Sequence, residues 1–337
     1  MGISPDDTKD DVLTGYYVSH WYSCVVMAAI PFLPTRDGIS PSRVWLPHGP
    51  WKTLGEFFAV RFPMVAADSW AERMRRSEVI DDRGTVLALD SVFRPGACVF
   101  YYRQRRDETP IPFDEKILFL DDQLLVVDKP HFVPVTPGGR FLRETLLARL
   151  KRSTGLDTLT PIHRLDRETA GVMMFSVAPA TRSLWQSLFR YRRVEKMYEA
   201  VAPFRDSIAF PLELSSRIVR DDKFFRMKEV EGEANAYTRI EVIEQRGKLG
   251  LYRLFPRTGK MHQLRVHMNS LGIPILNDGF YPEALPSKGD DFSSPLQLLA
   301  RSLSFTDPLS GELRVFESSF RLQEHLGSSG AHSYSAC

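Results

Sequence analysis

Hydrophobic periodicity divides the chain into a short N-terminal part and a longer C-terminal part. Between residues 51 and 106, apolar side chains at helical spacing predict two short helices, followed by strands that turn residues separate. Beyond the prolines at 110 and 112, short apolar runs predict buried strands interrupted by helices. We predict a hairpin over 117–127, helices over 142–152 and 180–191, and strands over 172–177, 198–201, 235–243 and 249–255.

These elements follow one another without a regular strand–helix–strand repeat. The pattern therefore predicts an α+β fold whose central sheet is mixed and largely antiparallel, preceded by a small α+β N-terminal domain. We expect an extended or poorly ordered arm over 1–50, the small domain over 51–106, a larger domain over 113–325 and a disordered tail over 326–337.

The N-terminal arm contains a long uncharged stretch. The 24 residues from Val12 to Thr35 carry no formal charge and are long enough to cross a bilayer. Prolines interrupt the stretch, however, and aspartates precede it where a signal peptide would be basic. We therefore expect neither a membrane anchor nor a signal peptide. We hypothesise that Met27 is the natural start and that residues 1–26 are an upstream extension.

Composition narrows the class of protein only slightly. Lysine and arginine number 44 against 42 acidic residues, and the net charge of +2 says little about a polyanionic partner. The 43% hydrophobic and 26% charged residues are typical of globular proteins and argue against wholesale disorder. Three widely spaced cysteines without a CxxC pair argue against a disulfide scaffold and a structural zinc site. We therefore expect a reducing compartment, the cytoplasm.

Positive charge is nevertheless concentrated locally. Between Arg140 and Ala200, 12 Lys or Arg stand against six acidic residues, and the run Arg190–Arg193 places a tyrosine among arginines. RNA backbones require such a surface, although a plain solvated surface shows the same pattern.

Several common catalytic signatures are missing. The sequence contains no GxxxxGK[ST], GxGxxG, HExxH or GxSxG, so an ATPase, a dinucleotide enzyme, a zincin and a serine hydrolase all lose their usual sequence support. Two other segments carry candidate chemistry.

The first segment, His163 to Gly171, reads HRLDRETAG and precedes a predicted strand. Asp166 is flanked by Arg164 and Arg167, whose charges would keep its carboxyl ionised, as a nucleophile or a base, provided that they approach it. The alternative is that Asp166 only pairs with Arg164 or caps a turn.

The second segment, Arg257 to Met268, interleaves cationic and amide side chains with apolar ones. This pattern predicts a helix with one buried face and one face holding donors for phosphates or base edges. An ordinary solvated helix would show it too. His262 and His267 are five residues apart, which is not the spacing of a helical zinc pair.

Three stretches together resemble, in order and spacing, the signature motifs of the RluA family of pseudouridine synthases: HRLDRETAG, EKMYEA (Glu195–Ala200) and RTGKMHQLRVHMNSLGIPI (Arg257–Ile275). The resemblance begins at the Asp-Lys-Pro loop region and ends near residue 322. It implies a pseudouridine synthase catalytic domain over 113–325. The order of elements over 51–106 resembles the alpha-L RNA-binding module that often precedes this domain.

The resemblance also implies roles for individual residues. Asp166 matches the catalytic aspartate, Tyr198 the tyrosine that stacks on the target base, and Arg265 the arginine that pairs with the aspartate. Arg164 matches a residue that fills the gap left by a flipped nucleotide, and Leu264 one that lines the pocket. We assign further substrate contacts to four polar residues: Lys129, Arg167, His262 and Gln263.

Some positions depart from the family pattern. Lys260 and Met261 replace the usual Arg and Thr or Ser, and Asn277 stands before Asp278 where Gly is common. The substitutions at residues 260 and 261 would change the RNA contacts that the family makes at these two positions.

The implied reaction explains the missing motifs. Isomerising uridine breaks the base-to-sugar bond and remakes it at carbon 5 without net redox change or a group donor. A carboxylate can attack the sugar covalently or remove a sugar proton to form a glycal, and both routes stay open. Neither needs a metal, nicotinamide or ATP. We therefore expect no cofactor and no metal, with rRNA or tRNA as partner, no membrane, and a monomer.

Two other functions fit parts of the sequence. A non-catalytic RNA-binding protein on the same fold would keep the basic surface, and changing Asp166 would then alter only affinity. A glycosidase would need a second carboxylic acid to protonate the leaving group, and Glu168 is the nearest candidate in the sequence.

Overall fold

A computed structural model describes residues 33–103, 108–222, 225–286 and 289–322. Within these residues the chain forms two compact units, one of residues 33–34 and 41–102 and the other of residues 35–40 and 103 onward. The sequence hypotheses about residues 1–26 and about the tail over 326–337 lie outside the described residues.

The smaller unit contains two helices and a three-stranded antiparallel sheet in the order β1-β3-β2. Its elements are β1 (Ser42–Trp45), α1 (Leu54–Arg61), α2 (Ala67–Arg75), β2 (Val79–Asp81) and β3 (Cys98–Tyr101). The Thr53 side chain caps α1 by accepting from the Glu56 N–H. The core is aromatic, because Phe58 and Trp70 pack with ring centroids 4.3 Å apart and both contact Tyr101.

The structure differs from the sequence prediction at the start of this unit. Residues 42–45 belong to its sheet, whereas the sequence placed them in an arm that ends at residue 50. A four-residue strand is too short for its alternation to stand out between prolines. Between 85 and 102, where strands were expected, the described strand is β3 alone and much of the remainder forms turns.

The larger unit is built on a long mixed sheet. Its elements are β4 (Lys116–Leu120), β5 (Leu124–Lys129), α3 (Leu146–Thr154), β6 (Thr160–Pro161), β7 (Ala170–Ser176), α4 (Arg182–Arg190), β8 (Val194–Pro203), β9 (Leu212–Arg220), β10 (Met227–Val230), β11 (Ala236–Arg246), β12 (Leu249–Pro256), α5 (Gln263–Ser270), β13 (Leu298–Thr306) and β14 (Leu313–Glu317). The strand order is β10-β9-β11-β12-β8-β13-β7-β5-β4, with β14 beside β13 and β6 beside β7.

This sheet confirms the predicted α+β fold. Among the described strands, β13 and β7 pair in parallel and every other pairing is antiparallel. The predicted hairpin, helices and strands are present with shifted ends. Helix α3, for example, begins at Leu146 rather than 142 because the Thr145 side chain caps it, accepting from the Ala148 N–H.

The parallel pairing explains a glycine of the first motif. Gly171 has φ +115°, and a Cβ there would lie 2.2 Å from the Ala300 carbonyl oxygen of β13. Only glycine allows the two strands to approach this closely. The loop that carries Asp166 ends immediately before this junction, so the sheet determines where that loop enters the core.

Two apolar clusters meet at Tyr198 of β8. One contains side chains of β5, β7 and α3, and the other contains side chains of β11, β12 and α5; Tyr198 packs against both. The middle of the sheet is therefore where side chains from distant segments converge. Among the described residues, no helix is both long and apolar enough to cross a membrane.

Candidate active site

The loop between β6 and β7 places Asp166 at the end of the central strands. Its backbone is tied to the segment that follows β5. Lys129 Nζ donates to the Arg167 carbonyl at 3.1 Å, His131 Nδ1 contacts the Glu168 carbonyl at 2.6 Å, and Arg167 Nε donates to the Phe132 carbonyl at 3.0 Å. The loop is therefore tied, just after Asp166, to the end of β5 and the residues that follow it.

Lys129 is an internal clamp. Its side chain is fully buried, and Nζ also donates to the carbonyls of Pro130 and Val133, both at 2.9 Å. An ammonium has three donors, and all three are used within the protein. The sequence-based assignment of Lys129 to substrate contact is therefore wrong, because no donor is left for RNA.

We expect Lys129→Met to destabilise the protein and to change its pH dependence. Each carbonyl left unsatisfied costs about 1–3 kcal/mol. Burial lowers the pKa of Lys129 to about 7 from its ordinary 10.5. Between these values the unfolded chain binds a proton that the folded chain lacks, so this group's contribution to stability rises with pH.

Urea unfolding across this pH window measures the effect. The wild-type free energy of unfolding should rise relative to that of Lys129→Met as the pH increases. Lys116→Met is the control, since Lys116 is exposed and bonds to Ser319 at the surface. A constant difference between wild type and Lys129→Met at every pH would contradict the assignment.

The charge partner of Asp166 comes from α5. Arg265 Nη1 donates to Asp166 Oδ2 at 3.3 Å, while Nε and Nη2 donate to the two oxygens of Asp278 at 2.7 and 2.6 Å. The Arg265 side chain is 2% exposed, and the Asp166 side chain is 31% exposed. The Asp166 carboxylate is thus open to a ligand on one side and faces a fixed cation on the other.

Electrostatics keep Arg265 charged despite its burial. Burial alone would lower its pKa, but the hydrogen bonds and charge of Asp278, followed by those of Asp166, raise the pKa above its ordinary value. Bidentate guanidinium–carboxylate pairs are strong and directional. Asp278 also accepts from the backbone N–H groups of Phe280 and Tyr281, so the pair is anchored to the chain.

Tyr198 lies within electrostatic range of Asp166, and Leu264 precedes Arg265 in α5. Burial and then the charge of Asp166 raise the pKa of Tyr198, so its phenol stays protonated. Leu264 is 7% exposed and belongs to the cluster against which Tyr198 packs. The structure therefore brings together Asp166, Tyr198, Leu264 and Arg265, four residues that the sequence resemblance singled out.

Among the described residues, neither Arg164 nor Arg167 forms an ion pair with Asp166. Arg164 is exposed, and Arg167 turns its guanidinium towards the Phe132 carbonyl, the Glu168 carboxylate at 3.3 Å and the Phe141 ring. The expected influence of these neighbours on Asp166 depended on their guanidiniums approaching it, and this condition is not met. The loop backbone directs their side chains elsewhere, and α5 supplies the cation instead.

The predicted polar face of α5 is also wrong. All residues from Gln263 to Met268 are buried. Gln263 Oε1 accepts from Thr258 and Lys260, and its Nε2 donates to Tyr237 and Thr238. The amide has no free polar group for RNA, so its assignment to substrate contact fails. The helix is packed on both faces, which a pattern based on one buried face does not anticipate.

Sequence reasoning missed the role of Asp278, which it mentioned only as the residue after the departure at Asn277. Asn277 has φ +64°, a left-handed conformation that asparagine tolerates better than most residues. This position therefore retains the backbone geometry that glycine would provide. Tyr281 was also missed, although its hydroxyl lies 3.1 Å from His262 Nδ1. No signal in the local sequence indicates either contact.

Three histidines near the loop have distinct settings. Burial lowers the pKa of His163 to about 3 and of His131 to about 4. His163 Nε2 accepts from the Met174 N–H, and its ring stacks on Phe189, so it is a structural residue. His262 Nε2, by contrast, lies 3.7 Å from Asp166 Oδ2. Among the described residues, no cluster of His, Cys, Asp or Glu is arranged to hold a metal ion.

Comparison with known proteins agrees with this geometry. The family described as RNA pseudouridylate synthase matches residues 123–270. The tRNA pseudouridine(32) synthase, mitochondrial, of Saccharomyces cerevisiae is 32% identical over 198 residues, covering 57% of this chain but only 42% of the yeast protein. The dual-specificity RNA pseudouridine synthase RluA of Vibrio cholerae is 30% identical over 207 residues, covering 59% of this chain and 80% of that protein.

A solved structure shares the fold. Human RNA Pseudouridylate Synthase Domain Containing 1 superimposes with a TM-score of 0.50 at 23% identity, covering 63% of this chain and 86% of the human one. The family match over residues 123–270 includes the Asp166 loop, Tyr198 and Arg265. In the structure, Arg265 contacts Asp166. The chain belongs to the RluA family of RNA pseudouridine synthases.

Proposed function

We propose that this protein isomerises a uridine in RNA to pseudouridine at Asp166. One observation supports the proposal: the partly exposed carboxylate of Asp166 contacts the buried guanidinium of Arg265, which Asp278 anchors through two hydrogen bonds. Tyr198 lies within electrostatic range of Asp166, and the chain belongs to a family of pseudouridine synthases. In this role Asp166 attacks the sugar or removes one of its protons. Arg265 is the group that orients the carboxylate.

Base flipping gives the neighbouring residues their roles. A uridine leaves its stack at a cost of a few kcal/mol, and stacking on an aromatic ring returns about 1–3 kcal/mol. Tyr198 is the proposed platform and Leu264 the apolar wall. Arg164, which is exposed two residues before Asp166, is the residue that we propose fills the gap in the RNA. The proposed catalytic domain spans residues 113–325.

The RNA and its docking surface follow from charge and from the relatives. Residues 190–193, which join α4 to β8, are exposed and include three arginines, which suits a phosphate backbone. One relative is named for tRNA and another for dual specificity. We propose tRNA or rRNA as substrate, a monomer as the active form and the cytoplasm as the compartment. We also propose that the unit around residues 51–106 assists RNA binding.

A glycosidase is less well supported by the same contacts. Hydrolysis needs a carboxylic acid that protonates the leaving base. The Glu168 side chain pairs with Arg167 at 3.3 Å, and Asp278 is bound on both oxygens by Arg265. Neither acid is free to serve the reacting bond.

The test incubates the purified protein with unmodified transcripts of tRNA and rRNA. Carbodiimide labelling followed by reverse transcription locates any pseudouridine formed. Pseudouridine at a discrete site supports the proposal. Release of free uracil would establish the glycosidase, and RNA binding without either product would establish a non-catalytic binding protein.

A further inference from the structure

His262 lies beside Asp166 and has no assigned chemistry in the proposed reaction. It precedes α5 in a left-handed conformation with φ +54°, which is uncommon for a residue with a side chain. Its ring is held between Phe280, with centroids 5.5 Å apart, and the Tyr281 hydroxyl. Nε2 points at Asp166 Oδ2, 3.7 Å away. The ring is thus fixed with one nitrogen towards the protein and one towards the reacting carboxylate.

Hydrogen-bond counting assigns the protons of this ring. The Tyr281 hydroxyl donates to the Met227 carbonyl at 3.0 Å and accepts from the Met227 N–H at 2.8 Å. A hydroxyl has a single proton, so in the contact with His262 the hydrogen belongs to Nδ1. A neutral imidazole protonated at Nδ1 carries its lone pair on Nε2, the nitrogen that faces Asp166.

The surroundings favour this neutral form. Burial lowers the pKa of His262 below its ordinary value, while the charge of Asp166 opposes the shift. Arg265 and Arg226 also lower the pKa, and Asp278 raises it. At neutral pH the ring therefore presents an unprotonated nitrogen to the site.

Pseudouridine formation needs a base at a late step. Once carbon 5 is bonded to the sugar, its hydrogen must leave, and at that moment carbon 5 is one bond from the sugar carbon next to Asp166. Tyr198 is a poor acceptor for this proton, because burial and the charge of Asp166 raise the pKa of its phenol. Arg265 is a permanent cation with its donors engaged. Nε2 of His262 is a neutral acceptor 3.7 Å from Asp166 Oδ2, beside the reacting carboxylate.

We propose that His262 Nε2 removes the carbon 5 proton in the final step of the isomerisation, an inference that rests on the proposed function. The C5–H bond breaks and its electron pair forms the C5=C6 double bond. The C6=N1 pair moves onto N1, which takes a proton from water. The imidazolium formed lies against the Asp166 carboxylate and returns its proton to water, so the proton count balances.

A fluorinated substrate isolates this step. When the target is 5-fluorouridine, carbon 5 carries no hydrogen, so the carbon-linked product forms without the final base. On a uridine transcript that wild type modifies, we expect His262→Gln to lower kcat about 100-fold or more, as for loss of a general base. On the matching 5-fluorouridine transcript, the rate of rearrangement should stay within about twofold of wild type.

Isotopes and controls sharpen the outcome. With deuterium at carbon 5, His262→Gln should show a larger isotope effect than wild type, since proton removal has become slow. His267→Gln is the matched control, because that histidine is buried in the same helix and bonds to Thr238 and Ser216. His267→Gln should affect both substrates equally. His262→Asn is measured in the same way as His262→Gln. Only variants whose unfolding transition matches that of the wild type are compared.

Equal losses on the two substrates in His262→Gln would overturn the inference and leave His262 a positioning residue for Asp166. An unchanged rate on uridine would overturn it as well. A wild-type protein that modifies neither transcript contradicts the proposed function itself, which is a separate result because it involves no variant.

Discussion

Asp166→Asn should abolish pseudouridine formation while leaving RNA binding nearly unchanged. An amide neither attacks the sugar nor removes its proton, and loss of a nucleophile or base costs roughly 10⁴-fold or more in kcat. The substitution keeps the size of a side chain that is 31% exposed, so the fold should tolerate it. Carbodiimide mapping measures product, and filter binding of the same transcript measures affinity.

The control for this experiment is Glu168→Gln. It makes the same carboxylate-to-amide change two residues away, on a partly buried side chain that pairs with Arg167 at 3.3 Å. Activity should stay within about threefold of wild type, because Glu168 pairs with Arg167 and not with Asp166 or Arg265. Pseudouridine formation by Asp166→Asn at a comparable rate would remove Asp166 from the mechanism. A loss confined to affinity would favour the RNA-binding alternative.

Asp278→Asn should cause a large loss of stability. It replaces one acceptor of the buried Arg265 guanidinium with an amide that can present a donor to it. Breaking a buried ion pair by removing one partner costs about 3–5 kcal/mol. The free energy of unfolding from urea titration should fall by about this amount. Activity should fall too, because the group that orients Asp166 loses its anchor.

An exposed ion pair serves as the control for Asp278→Asn. Glu244 pairs with Arg246 at 2.6 Å, with side chains 35% and 50% exposed. Glu244→Gln should change the free energy of unfolding by less than about 1 kcal/mol. Equal, small effects of both substitutions would mean that the Arg265–Asp278 pair does not hold the site together.

The local pattern of apolar and turn residues was sufficient to predict many of the strands. Apolar runs between turn residues located β4, β5, β7, β8, β11 and β12, because strands buried on a sheet need such runs. Strands β9, β10, β13 and β14 were not predicted, and β13 pairs with three other strands. Pairing partners are determined by long-range packing, which leaves only a weak trace in the sequence of each strand.

The candidate site shows the same difference between what the sequence predicts and what long-range packing determines. The resemblance of the three motifs to those of the RluA family, in order and spacing, singled out Asp166, Tyr198, Leu264 and Arg265. Reasoning from neighbours in the sequence offered Arg164 and Arg167 as the cations beside Asp166, whereas the resemblance implied Arg265, 99 residues later, and the structure has Arg265 in contact with Asp166.

The sequence by itself therefore determined the fold class and the family, and it singled out Asp166 as the carboxylate that we propose to react. Only the tertiary structure decided that the polar atoms of Lys129 and Gln263 form hydrogen bonds within the protein. It also decided that Asp278 anchors Arg265 and that His262 faces Asp166. The physical reason is that a polar side chain's role depends on which of its donors and acceptors are already satisfied. Contacts between residues distant in the chain determine which donors and acceptors are satisfied, and a local sequence pattern does not show these contacts.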